Sequence, residues 1–365
     1  HGPHPPPGAE GRRVGESKRK AGGIQVKQLT IAVPAYNAEA YLETCLASMT
    51  GLDSRLEVIV INDGSTDGTA EIAQRYAARY PEQVRLIHKE NGGHGSGINT
   101  AIAAASGRYF KVVDADDWIV RDNLIPLLDR LEATSADAVV TGYHTVNMRS
   151  GRRLAYSSEC RYAGAEVTLA QLLEVYEEIS SCCSFHGLMY RTELYRNAGI
   201  HLSEGIFYED QEYAALPFAY VDSVLILPFF FYEYLIGNSG QSVAFHNQVK
   251  RIGHIETVIR TMLAFRAEIG PLRPDREEYF LRKLAVVVVS YFAVALVKNP
   301  DKRQGRADAE RFRLWLEQAE PQMMPRIGKK YQTLLLFHRL RMAPAFYQGI
   351  LDTGFYKKFR RLWMN

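Results

Sequence analysis

The stretch Lys111-Val112-Val113-Asp114-Ala115-Asp116-Asp117-Trp118 decides how this chain reads. An apolar run over residues 109–113 breaks off into three carboxylates packed into four positions. Strands that are apolar throughout belong to parallel sheets covered on both faces, and their carboxyl ends open onto the crevice where α/β proteins bind ligands. Asp114 and Asp116, on alternate residues at such an end, are placed to reach one hard divalent cation. Its remaining positions would go to water and phosphate oxygens. The plainer alternative is a strand followed by a polar helix start, with Asp116 or Asp117 as N-cap.

Outward from this stretch the same alternation repeats. Residues 29–33 form a β-branched run stopped by Pro34, with a helix-like segment at 38–49. A second apolar strand, 56–61, ends in Asn62-Asp63-Gly64-Ser65-Thr66-Asp67-Gly68-Thr69 and leads to a helix over 70–80 that Pro81 stops. A third strand at 84–88 precedes Asn91-Gly92-Gly93-His94-Gly95-Ser96-Gly97 and a helix to Ser106. Segments 123–133 and 138–145 continue the pattern. The expected class is α/β, a mostly parallel sheet with helices on both faces.

Beyond residue 147 the pattern loosens. A turn is expected at 148–153, a helix at 169–178 and a short strand at 185–190. Tyr208-Glu209-Asp210-Gln211-Glu212-Tyr213 is an acidic cluster opening a helix. Two strands, 221–227 and 229–236, are divided by Pro228, and a Gly/Ser loop follows at 237–242. From 245 on the periodicity is helical, over 245–269, 276–298, 305–319 and 328–340. The apolar run 284–297, only 14 residues, is too short to cross a bilayer and reads as the centre of a C-terminal bundle. The division is a tail at 1–23, subdomains at 24–147 and 148–244, and a helical region at 245–365.

With 365 residues, 47% hydrophobic and 23% charged, the chain has the composition of a soluble globular protein. Cys45, Cys160, Cys182 and Cys183 show neither a disulfide framework nor zinc spacing, and read as reduced thiols in a cytoplasmic protein. The tail is Pro/Gly-rich, with no apolar run to act as a signal peptide. It carries five basic and two acidic residues, and segment 326–365 nine basic and one acidic. With a net charge of +3, the body between them therefore stands at −8. An acidic body excludes a nucleic-acid-binding profile; the basic end points to a local anionic partner.

The chemistry-bearing segments follow successive strands, so all would share one edge of a parallel sheet. Here the sequence resembles the family 2 glycosyltransferases. Pro34-Ala35-Tyr36-Asn37, the Asn62–Thr69 turn and Asp114-Ala115-Asp116-Asp117 look like that family's signature, closely over residues 28–145 and more weakly to about 240. The resemblance implies a glycosyltransferase A-type nucleotide-sugar fold, a magnesium or manganese ion, and inversion at the anomeric carbon. It implies that Pro34, Tyr36 and Glu39 line the nucleoside pocket and that Asp63 bonds the base. Asp114 would contact ribose and metal-bound water, Asp116 would ligate the metal, and Asp210, of the Glu209-Asp210 pair, would be the catalytic base. By the same likeness, 24–147 would bind the donor and 148–244 the acceptor, a glycan or lipid-linked molecule of cell-surface polysaccharide or glycolipid synthesis.

Two features depart from the family pattern: the Gly-rich segment 91–99 with His94, and the bundle 245–365. Turn glycines such as Gly95 could bring backbone N–H groups close to a donor phosphate. His94 and His186 read as pocket or loop residues rather than metal ligands, while His246 is a candidate to complete a metal shell. Phe229-Phe230-Phe231-Tyr232 reads as strand core and Trp118 as a stacking residue at the rim. Basic residues interleaved with aromatics in 326–365 suit an anionic membrane surface on the inner face of the cell membrane. Competing functions are a nucleotidyltransferase, disfavoured because no Lys or Arg follows the first strand over 34–47, and a catalytically silent scaffold.

Overall fold

The computed structural model describes residues 26–237 and 245–352. The tail 1–23, most of the Gly/Ser loop, the side chain of His246 and residues 353–365 lie outside the described residues. Ten strands form one sheet: β1 (Leu29–Ala35), β2 (Leu56–Asp63), β3 (Val84–Lys89), β4 (Tyr109–Val112), β5 (Trp118–Ile119), β6 (Ala138–Asn147), β7 (Arg153–Tyr156), β8 (Glu166–Thr168), β9 (Leu188–Arg191) and β10 (Ser223–Ile236). Their order is β3-β2-β1-β4-β9-β6-β10-β5, with β7 on β6 and β8 on β10.

β1 and β2 are buried at every position, and their alternate residues feed two separate cores. Ala32, Ile59, Ile61, Phe110 and Val112 face one; Ile31, Val33, Val58, Val60 and Tyr109 face the other. A strand with apolar residues of both parities can be satisfied only by covering both faces, which explains the helices on either side. β3-β2-β1-β4 is parallel throughout. β9 then enters antiparallel to both β4 and β6, and β10 runs parallel to β6.

The structure corrects two sequence expectations. Pro228 does not divide two strands: β10 runs continuously, and its register against β6 slips between Leu227 and Phe230. A bulge is where a sheet tolerates a residue without an N–H. The expected helix over 276–298 forms, as Pro274–Ala293 continuing through Val294–Lys298, and what it corrects is the argument that the apolar run is too short to cross a bilayer. At 25 residues it has the length and composition to cross a bilayer, yet 72% of its apolar window is buried inside the protein. Tyr279 stacks on Phe218 at 3.7 Å, and Phe292 packs on Phe312 and Tyr331. It is the axis of the C-terminal helices, as the bundle reading expected.

Lys111 breaks the apolar run of β4 and is fully buried. Its ammonium donates to the carbonyls of Phe185 (2.7 Å), His186 (2.9 Å) and Leu188 (3.1 Å). Burial pulls its pKa down to about 7, against the opposing pull of Asp114 and Asp117. The loop before β9 is thus pinned to the sheet by side chain rather than by strand pairing.

Candidate active site

The loops at the carboxyl edge are stitched to one another in chain order. After β1, the Asn37 side chain accepts from the Thr66 N–H (2.9 Å), and the Ala38 N–H donates to the Thr69 hydroxyl (2.7 Å). Pro34 is buried in β1, and Tyr36 beside it is 55% exposed. Glu39 accepts from the Gly68 N–H at 3.1 Å, so it ties the first loop to the second. Asp63 ends β2, buried, and accepts from Lys89 (2.7 Å) and from the N–H groups of Gly92 (3.0 Å) and Gly93 (2.8 Å). That carboxylate holds the Gly-rich turn in shape.

The turn delivers His94 to the first position of helix His94–Ala104. Its Nε2 lies 2.8 Å from Asp114 Oδ1 and its Nδ1 2.7 Å from Glu209 Oε1. Burial alone would lower the imidazole pKa; the two carboxylates outweigh it and hold His94 well above the ordinary histidine value. One histidine therefore joins the carboxyl end of β4 to an acidic pair 115 residues away in sequence.

The glycines let this joint close. A Cβ on Gly95 would collide with the Ser203 carbonyl oxygen and press on Glu209 Cγ. Gly93 takes a φ of 85°, and the Gly205 N–H donates to the Gly92 carbonyl at 2.8 Å. Asn99 adds two bonds, to the Leu202 carbonyl (3.0 Å) and from the Leu202 N–H (2.9 Å). Gly95, expected beside a phosphate, is instead buried under segment 203–209. Tyr208 within that segment has a φ of 77°. A bulky residue held left-handed is strain of the kind that collects at functional sites.

At the end of β4, Asp114, Asp116 and Asp117 bring one carboxylate oxygen each within 4.8 Å of one another. Asp117 is committed elsewhere: it is buried, and accepts from the Tyr232 hydroxyl (2.5 Å) and the Leu235 N–H (2.7 Å). Burial, then the charges of Asp114 and Asp116, push its carboxyl well above the usual range. Tyr232 also receives the Asp114 N–H at 3.1 Å, fixing the turn from below. The half-buried Asp114, with His94 on its Oδ1, and the half-buried Asp116 form an all-oxygen pair that fits a hard divalent cation.

Asp210 opens the helix Asp210–Ala215, whose N-terminus has no side-chain cap. The Gln211 amide donates to its Oδ2 at 2.8 Å. Burial and then the neighbouring Glu209 charge raise its pKa to about 6. Glu209 itself is 4% exposed, and its Oε2 has no partner. Within residues 143–234, rings of Tyr156, Tyr143, His186 and Tyr234 stack in sequence at 4.6, 5.0 and 4.2 Å. Burial lowers His186 to about 4, so it is neutral. Trp118, expected as a stacking residue, is half-buried in β5 opposite Glu233.

Sequence reasoning did not find the roles of His94, Tyr232 and Lys111. His94 carried a signal, an imidazole inside a glycine turn beside two acidic motifs, but its partner depended on the fold. Its replacement checks the joint. His94→Ala leaves both Glu209 oxygens buried without a partner, at a cost of about 1–3 kcal/mol. Urea unfolding should show that loss as a lower midpoint at unchanged slope.

Residues 30–198 match the family model described as Glycosyl transferase family 2. The chain is 32% identical over 204 residues to the uncharacterized glycosyltransferase EpsJ of Bacillus subtilis, covering 54% of this chain and 58% of that protein. It is 35% identical over 127 residues to the hyaluronan synthase of Pasteurella multocida, covering 34% of this chain and 13% of the synthase. In each case the match spans less than two thirds of the relative. Among solved structures, S. aureus TarS 1-349 superposes with a TM-score of 0.59 at 18% identity, covering 86% of this chain and 91% of that one. That is a likeness of fold.

Proposed function

We propose, from the glycosyl transferase family 2 domain that this chain carries over residues 30–198, that it moves a sugar from a uridine-linked nucleotide donor to an acceptor hydroxyl with inversion. The observation that carries the reading is the His94 joint, which ties Asp114 at the end of β4 to Glu209, the neighbour of Asp210 in sequence. TarS, of like fold, has been solved with UDP-GlcNAc and with UDP, which supports a uridine donor here.

Transfer from a nucleoside diphosphate needs the leaving group's charge stabilised and the acceptor's proton removed. Asp114 and Asp116 would hold a magnesium or manganese ion, and that ion would offset the charge of the departing diphosphate. Asp210 is suited to take the proton, because a base works best with a pKa close to the operating pH. A single displacement, in which the acceptor oxygen bonds the anomeric carbon as the opposite bond to the diphosphate breaks and the proton passes to Asp210, yields inversion. The buried Tyr232, bonded to both Asp114 and Asp117, keeps the acid turn from moving as charge changes around it. We assign 24–147 to the donor and 148–244 to the acceptor, a sugar hydroxyl in polysaccharide or glycolipid synthesis.

The test is a thermal-shift panel of nucleotide-sugars with and without Mn²⁺ or Mg²⁺, followed by donor hydrolysis without acceptor. A true donor at 100 times its Kd adds about 2.7 kcal/mol of stability. A rise in Tm for a uridine donor that requires metal, together with slow hydrolysis, is the expected result. A rise without hydrolysis indicates the silent scaffold, and no shift with any nucleotide-sugar overturns the reading.

A further inference from the structure

The acidic body ends in a positive depression on the bundle. Helices Lys302–Ala319 and Met323–Arg339 meet in an open bowl of about 620 Å³, lined by Lys302, Arg303, Arg306, His338, Arg339 and Arg341 with Glu310. Glu310 bonds Arg313 at 2.7 Å and pairs with Arg306 at 4.0 Å, one acid against five Lys and Arg side chains in the lining. Arg303, Arg306, Arg339 and Arg341 are exposed.

Three features mark the bowl as more than a solvated face. Lys302, Arg303 and Arg306 crowd the start of a helix whose only local acid is its cap, Asp301, bonded to the Arg303 and Gln304 N–H groups, so three cations stand where the helix dipole disfavours them. Arg341 holds a φ of 49°, a left-handed position after a helix end that glycine usually takes. Leu336, Leu340 and Phe346 stand 50%, 65% and 61% exposed, with Leu336 sharing a helix face with both Arg339 and Leu340. Cations beside exposed apolar side chains form the composition that sits in a lipid headgroup boundary.

The bowl also lies at the same end of the molecule as the crevice. The central helix starts beside the amino end of β10, where Arg276 bonds Asp222 at 2.6 Å. It finishes where Lys298 bonds Gln248 at 2.6 Å, and Arg251, just after the helix that carries Gln248, lies 3.5 Å over the ring of Phe207 in the segment that covers Gly95. Lys302 and His338 bond the carbonyls of Val297 and Leu296 at that finish.

We propose that this end of the bundle docks on an anionic phospholipid surface. Lipid phosphates sit among Arg303, Arg339 and Arg341, and Leu336, Leu340 and Phe346 enter the acyl boundary. Such docking would set the crevice against the surface on which a lipid-linked acceptor is presented. The shared recognition chemistry is phosphate, so the experiment separates a lipid surface from a soluble anion.

The full chain is sedimented with vesicles of phosphatidylglycerol and phosphatidylcholine, and with phosphatidylcholine alone, without nucleotide. Failure here would leave the sugar-transfer reading untouched. The wild type should pellet with the anionic vesicles only and release at high salt. R303E/R339E/R341E should weaken partitioning on the order of 100-fold, and L336S/L340S roughly 10-fold. Both variants keep residues 353–365, so a loss reports the bowl and not the chain end. All the replaced side chains are exposed, and a thermal melt equal to wild type checks that the fold is kept. Pelleting of the triple variant like wild type overturns the proposal. So does displacement of the wild type by soluble glycerol phosphate at matched phosphate concentration, which would make this a site for a free anion.

Discussion

Asp210→Asn is expected to lower turnover by about two orders of magnitude or more, the usual scale for losing a general base, while donor affinity stays at the wild-type value. The variant keeps shape and hydrogen bonding but cannot accept a proton. Stability gives the control. If Asp210 were only a helix cap, the change would cost about 1 kcal/mol and spare turnover. The structure opposes that role, since the helix start has no side-chain cap and Asp210 meets an amide side chain instead. The pH dependence follows from the same carboxyl. Its folded pKa, about 6, lies above the ordinary value because burial and then Glu209 disfavour the charge. Activity should therefore rise with pH through about 6 as the base ionises. Stability should move the other way: the folded state binds the extra proton, so this group's contribution falls as pH rises from the unfolded pKa through 6. Asp210→Asn removes that penalty, and its Tm at neutral pH should equal or exceed wild type. Retained turnover with a lowered Tm would overturn the assignment.

How far the sequence could be read differs between the two halves of the chain, for a physical reason. In β1, β2 and β4 both faces are buried, so apolar runs and the turn residues between them were enough to place four parallel strands and their edge. The acidic pair at Asp114 and Asp116 followed from that edge. In the second half the partners are remote. β9 pairs antiparallel with β4 and β6 over a few residues, which four residues of sequence do not announce. The Pro228 bulge needed the register of β6 to be seen. The Gly-rich turn was legible as unusual but not as purposeful. Its glycines answer to Ser203 and Gly205, more than 100 positions away, and its histidine to Glu209. Buried lysines hide in the same manner. Lys111 looked like an interruption in a strand, and only the loop before β9 shows the carbonyls it serves.

Asp116→Asn should abolish cation-dependent binding of the nucleoside diphosphate without loss of fold. Of the three acids after β4, Asp117 is buried and bonded to Tyr232 and Leu235, so its replacement would disturb the turn itself. Asp114 supports His94, so its loss would unsettle the joint to Glu209. Asp116 is the member to which the family likeness gives the metal as its role, so its replacement is the direct test of the metal's contribution. Without an ion the three carboxylates repel one another, which is part of why Asp117 is pushed far up. Taking one charge away relieves that repulsion, so the metal-free variant should melt no lower than wild type. Losing a direct ligand should cost more than the ~10–100-fold in metal affinity seen when only an outer-shell partner is removed. Calorimetry with UDP and Mn²⁺ reads this directly: a metal-dependent enthalpy in the wild type, and UDP binding in the variant that is the same with or without Mn²⁺. The Tm supplies a second readout, rising with Mn²⁺ plus UDP in the wild type and staying put in the variant. Equal metal-dependent affinity in the two proteins would remove Asp116 from the metal site. The cation would then have to be held by other groups, and the strand-end acids would be a turn and nothing more.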